Sequence, residues 1–168
     1  VADGLALWEK IMAAGKSQGI KACGYRAIES LRLEKGYRAW AGEINTETNP
    51  YEAGLGFAVS LKKDNFHGKA AAVAAQANLT RKLVAITFDD ITCVPFGSEP
   101  IRIGEKIVGR IKSGGQGYTI KKAIAYAYLP ITQSEVGTKV DVEFFGTWRS
   151  GVICAEPLFD PTNERIKA

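Results

Sequence analysis

Apolar residues in the first third of the chain recur at helical intervals. Behind Asp3, a side chain suited to capping a helix start, Leu5, Trp8, Ile11 and Met12 fall on neighbouring turns, and Gly15 stands where such a run stops. This predicts one amphipathic helix. A second helix is predicted from Tyr25 to Lys35, with Ile28, Leu31 and Arg32 on adjacent turns and Gly36 as its terminator. Asn45 to Pro50 is polar and rich in turn formers, while Leu55 to Leu61, with Phe57 and Val59 on one side, reads as a strand. The alanine-rich run Lys69 to Ala77 reads as a third, short helix.

Helical periodicity stops near Arg81. Leu83 to Phe88, Ile101 to Ile103 and Lys106 to Ile111 read as strands, with Gly104-Glu105 as a two-residue hairpin turn. Lys139 to Phe145 and Trp148 to Cys154 form a second predicted hairpin around Gly146-Thr147. Short antiparallel strands that each bury one face are best satisfied by closing into a small barrel, which also removes exposed edges. The fold class is therefore α+β, a helical part followed by a small antiparallel β-barrel, with the boundary at residues 78 to 80. Asp160 to Glu164 reads as a turn, with a frayed tail behind it. No fixed-period repeat is visible.

Composition narrows the function classes. With 168 residues, 46% hydrophobic and 24% charged, the chain resembles an ordinary soluble globular protein, and no apolar stretch approaches a membrane span. No membrane partner is predicted. The net charge of +4 is interleaved along the chain instead of forming a basic block, so no nucleic-acid partner is predicted either. Cys23, Cys93 and Cys154 are too far apart for a metal or redox motif and read as three buried, reduced thiols. The sequence opens on Val1 with no signal-peptide pattern, and reads as the cut end of a longer chain or a processed product.

Few residues point to chemistry. The single histidine, His67, sits in a turn entering the third helix with no second ligand or base nearby in sequence, and reads as a surface residue. Ser113 to Tyr118 is glycine-rich but lacks the Lys-Ser/Thr ending of a phosphate loop, and reads as a tight loop between barrel strands. More suggestive is a cluster of Tyr25, Arg26, Arg32, Tyr37, Arg38 and Trp40, followed by Phe57. Aromatic faces and guanidinium forks hold flat ligands with an anionic tail. The same aromatics would equally fill a groove between helices and sheet.

The string Ser30-Leu31-Arg32-Leu33-Glu34-Lys35-Gly36-Tyr37-Arg38-Ala39-Trp40, followed by Asn49-Pro50-Tyr51-Glu52-Ala53-Gly54-Leu55-Gly56-Phe57, resembles the glycine-cleavage T-protein (aminomethyltransferase) family. Its nearest likeness is to the folate-binding halves of dimethylglycine and sarcosine dehydrogenases. Phe66-His67-Gly68-Lys69, Ala123 to Pro130 and Glu156-Pro157-Leu158 extend the resemblance over essentially the whole chain. It implies that residues 1–78 belong to the folate-binding domain and residues 79–168 to the C-terminal barrel.

The resemblance also implies a cofactor, tetrahydrofolate, and a function, capture of a one-carbon unit from a small methylated amine as methylenetetrahydrofolate. In the dehydrogenase relatives an N-terminal domain carrying FAD oxidises the N-methyl group; in the simple T-protein the carbon arrives on a lipoyl carrier. The family's catalytic aspartate and the Tyr and Glu that hold the pterin belong to motifs upstream of Val1, so no catalytic residue is assigned here. Phe57 matches an aromatic that contacts folate in relatives, Tyr37 follows the Leu-Arg-Leu-Glu motif, and Trp40 aligns with a further aromatic; these three are the candidate folate-binding residues. Where T-proteins carry a folate-contacting Arg this chain has Ile28, which favours the dehydrogenase branch, and Arg26 points from a different helix face. The implied setting is a bacterial cytoplasm or the mitochondrial matrix, with the fragment packed against the preceding part of its parent. Two alternatives stay open: an aminomethyltransferase of the glycine cleavage system, and a non-catalytic folate-binding or structural module of the same fold.

Overall fold

The computed structural model describes residues 2–167. Helix α1 spans Gly4–Gly15, α2 Tyr25–Lys35 and α3 Lys69–Ala77, each over the range its periodicity predicts. Asp3 occupies the N-cap position of α1 without a side-chain capping bond. Gly36 ends α2 in the left-handed region at φ 74°, where its N–H reaches the Leu33 carbonyl and the Tyr37 N–H reaches that of Arg32. Neither α1 nor α3 buries a single residue, whereas α2 buries Ser30, Leu33 and Glu34.

Six strands follow: β1 Arg81–Phe88, β2 Pro100–Ile103, β3 Lys106–Gly117, β4 Lys122–Pro130, β5 Lys139–Phe144 and β6 Thr147–Cys154. They close into an antiparallel barrel in the order β1-β4-β3-β2-β5-β6. The fold is α+β, as the pattern change near Arg81 predicts. Side-chain alternation explains why β1 and β4 read as unbroken apolar runs. Their residues Val84, Ile86, Phe88, Ala123, Ala125, Ala127 and Leu129 point into the barrel core. The intervening Leu83, Ala85, Ile124, Tyr126 and Tyr128 point outward, under Leu33 of α2. By contrast β5 alternates buried with less buried positions and has one covered face.

Four local expectations are corrected. Residues 55–61 form no strand: Gly56–Ala58 is a 3₁₀ turn, and the Leu55, Ala58 and Val59 amides bond to Pro50, Leu55 and Gly56 carbonyls in the same segment. Just upstream, the Asn49 side chain accepts the Tyr51 and Glu52 amides in a turn of its own. The glycine-rich stretch lies largely inside β3, not in a loop. A Cβ on Gly114 would stand 2.7 Å from the Ile124 carbonyl, and one on Gly117 2.7 Å from the Ile124 Cδ1, so glycine serves close strand approach. At the second hairpin the turn residues are Phe145 (φ 48°) and Gly146 (φ 80°), while Thr147 already belongs to β6. Finally, only Cys93 is buried; Cys154 is half-buried and Cys23 exposed, because residues 19–24 run with nothing packed over them. The tail carries one short helix, α4 Glu164–Lys167. Among the described residues no helix is long and apolar enough to cross a membrane.

Candidate functional site

Three segments meet where α2 leans on the barrel: the end of α2, the loop behind it, and the chain that returns after β6. Buried polar groups fix each contact, as groups removed from water require. The Glu34 carboxylate accepts the Thr119 and Ile120 amides at 2.7 and 3.2 Å, and its own carbonyl accepts the Phe159 amide at 3.0 Å. Lys35 pairs with Asp160 at 3.0 Å and, by that bond, holds the aspartate below the usual carboxylate range. Tyr126 donates to the Leu33 carbonyl at 2.9 Å. Burial pushes its phenol well above the ordinary tyrosine range, so it acts as a donor.

Arg38 has a protein partner on each of its three nitrogens. Its guanidinium donates to the Ala53 carbonyl (3.1 Å) and the Gly36 carbonyl (2.7 Å), pairs with Glu156 (2.6 Å), and lies over the Tyr126 ring. Arg32 is likewise bound to Glu29, Glu43 and the Tyr37 carbonyl. Each nitrogen of these two guanidiniums already meets a protein acceptor. Burial raises the Glu156 carboxyl although Arg38 draws it down.

Above this polar floor lies an open cleft of about 520 Å³, within the range of small-molecule sites. Tyr37, Ile44, Leu55 and Phe57 line it together with Pro157, Pro161 and Asn163 of the returning chain. Phe57 is 87% exposed and Tyr37 57%. The aromatics do not fill a groove between helix and sheet; they stand open to solvent. Trp40, also exposed, sits in the 39–44 turn and does not line this cleft. The structure thus brings together two of the three predicted residues. Arg26 lines a different groove of about 560 Å³, bounded by the start of α2, Pro95, Phe96 and the β3 glycines, which holds none of the three.

Sequence reading missed Glu43 and Glu156. Glu43 is buried, bound by Arg32 at 2.9 and 3.0 Å, by the Ala39 amide at 2.7 Å and by the Ser113 hydroxyl. An isolated acid between Gly42 and Ile44 carries no periodic signal, since its partners come from α2 and β3.

Two family models match the chain, one on either side of residues 64–80. Residues 1–63 match the GCVT N-terminal domain and residues 81–160 the glycine cleavage T-protein C-terminal barrel domain. The chain belongs to the glycine cleavage T-protein family. Among similar proteins, the mitochondrial dimethylglycine dehydrogenase of Homo sapiens is 43% identical over 169 residues, covering 98% of this T-protein-family chain and 20% of that protein. The aminomethyltransferase of Symbiobacterium thermophilum is 39% identical over 97% of this chain and 44% of its own length. Mouse mitochondrial sarcosine dehydrogenase is 35% identical over 97% of the chain and 19% of its own. The crystal structure of glycine cleavage system aminomethyltransferase T from Bartonella henselae superposes with a TM-score of 0.83 at 26% identity, over 95% of this chain and 45% of that one. The chain therefore spans about a fifth of the dehydrogenase relatives' length and under half of the aminomethyltransferases'.

Proposed function

We propose that this chain forms one wall of a tetrahydrofolate site in a larger folate-dependent one-carbon-transfer enzyme of the dimethylglycine or sarcosine dehydrogenase kind. The observation that carries the reading is the Phe57 ring, exposed beside Tyr37 on an open cleft at the position the family resemblance associates with folate. A flat pteridine-type ligand fits such a wall, because exposed aromatic faces stack on planar rings. When bound, tetrahydrofolate supplies the nitrogens that accept a one-carbon unit. Phe57 and Tyr37 would hold it, with Arg38 and Glu156 shaping the floor; the carbon's source, a small methylated amine, and any FAD chemistry belong to other sequence of the parent. Ile28, where T-proteins carry an arginine, favours the dehydrogenase branch over the glycine-cleavage aminomethyltransferase.

In this reading residues up to 78 complete a folate-binding domain and residues 79–168 form its C-terminal barrel. The exposed apolar residues of α1, Leu5, Leu7, Trp8 and Ile11, are then the face that packs on the rest of the parent, in a bacterial cytoplasm or a mitochondrial matrix. That same face favours a second reading, a structural module without ligand. Calorimetric titration of the whole protein with tetrahydrofolate separates the two. Micromolar binding that Phe57→Ala weakens about tenfold supports the cleft. Binding unchanged by that substitution, together with product formation independent of folate, contradicts it.

A further inference from the structure

The loop after α2 has a singular geometry. Its two ends, Tyr37 and Ile44, both line the cleft, while its middle is wrapped around a carboxylate that does not. The Glu43 side chain is fully buried. It receives both an α2 guanidinium, Arg32, and the loop's own Ala39 amide at 2.7 Å. The Ser113 hydroxyl of β3 donates to the same carboxylate, and the Tyr128 hydroxyl of β4 donates to the Glu43 carbonyl at 3.0 Å. Arg32 in turn donates to the Tyr37 carbonyl at 3.1 Å, and the loop closes on itself through Ala41 N–H to the Ile44 carbonyl (2.8 Å) and Ile44 N–H to the Ala39 carbonyl (3.3 Å).

We propose that Glu43 is a positioning residue of the cleft: it pins the 37–44 loop to helix and barrel at once, and so fixes where the Tyr37 ring and the Ile44 side chain stand. The inference rests on the reading of the cleft as a folate site. A charged group taking hydrogen bonds from three segments resists displacement, because withdrawing any donor leaves a buried carboxylate short of partners. Burial pushes the Glu43 carboxyl up, yet the Ala39, Ser113 and Arg32 donors outweigh it and hold it below the usual carboxylate range, so the group is charged at neutral pH. A tyrosine on a free loop would lose orientational freedom on binding, and the ordering cost would appear as lost affinity.

The test uses the whole protein carrying this chain, with tetrahydrofolate as probe. Glu43→Gln keeps the shape and removes the charge. It should weaken tetrahydrofolate about tenfold, raise hydrogen exchange at Ala39, Ala41 and Ile44, and leave exchange in β1 and β4 unchanged. The decisive measurement is a double-substitution cycle. In a Tyr37→Ala background Glu43→Gln should cost little further affinity, whereas in a Phe57→Ala background its effect should be additive. Ser113→Ala removes one donor, retains the Arg32 pair, and should show the same pattern at about threefold if Glu43→Gln does not fold. Unchanged affinity with unchanged loop exchange, or full additivity with Tyr37→Ala, overturns the proposal. If the unsubstituted protein does not bind tetrahydrofolate, the cleft reading fails, and protection of the loop amides alone decides whether Glu43 holds it.

Discussion

The helical part and the barrel share a chain but not a way of being stable. Strands β1 and β4 are buried on both faces, with Ile86 and Ala125 of the inner face and Ala85 and Ile124 of the outer face at 0% exposure, whereas α1 and α3 bury nothing. Amphipathicity predicts that an element forms, and a partner decides whether its face is covered. Helix α2 bridges the two regimes, through Leu33, Glu34 and the Arg32–Glu43 pair. The cleft lies at this junction, where a self-contained core meets a wall that is open on its other side.

The largest expected effect breaks the comparison most directly. Ile86→Ala should cost about 2–5 kcal/mol in a urea titration of the chain, as for large-to-small changes in a packed core. Ile11→Ala should stay within about 0.5 kcal/mol. Equal effects would mean that α1 is packed after all. Next in size, Glu34→Ala leaves the Thr119 and Ile120 amides without their acceptor and should cost about 1–3 kcal/mol. Amide exchange should rise in α2 and not in β4, showing that the joint, not the barrel, has loosened.

On the cleft itself, Tyr37→Ala should weaken tetrahydrofolate about tenfold and Trp40→Ala less than about threefold, since only Tyr37 lines it. A larger effect from Trp40 would move the ligand to the outer side of the loop.

The smallest effects are slopes with pH, and they have opposite signs. Glu43 is held below its ordinary value, so its contribution is complete above about pH 4.3 and is lost as pH falls through its folded value. Glu43→Gln should flatten the acid limb of the stability curve. Glu156 is raised by burial, so its contribution is present at low pH and lost as pH rises through its folded value. Glu156→Gln should therefore gain on the unsubstituted chain as pH rises above the ordinary carboxylate value of about 4.3, read from denaturation midpoints.

Much of this molecule follows from local pattern. The bounds of α2 and α3, the Gly104-Glu105 turn, the change to strands at Arg81 and the family strings around Leu-Arg-Leu-Glu are all written in short stretches of residues. Such features depend on neighbours three or four positions away, where period and glycine placement act. Phe57 and Tyr37 were legible as candidates through those strings. Their standing open on one cleft was not.

What tertiary structure decided is whatever requires two distant segments. Residues 55–61 carry enough apolar character for a strand, but backbone bonds within 50–59 wind them into a turn. Ser113 to Gly117 look like a loop, but β4 draws them into the barrel, with glycine permitting the approach. Trp40 shares its sequence neighbourhood with Tyr37, yet Tyr37 lines the cleft and Trp40 does not. The partners of Glu43 and Glu156 lie on other elements, and hydrogen bonds between buried groups are satisfied by proximity in space, which no pattern along a single stretch of chain records.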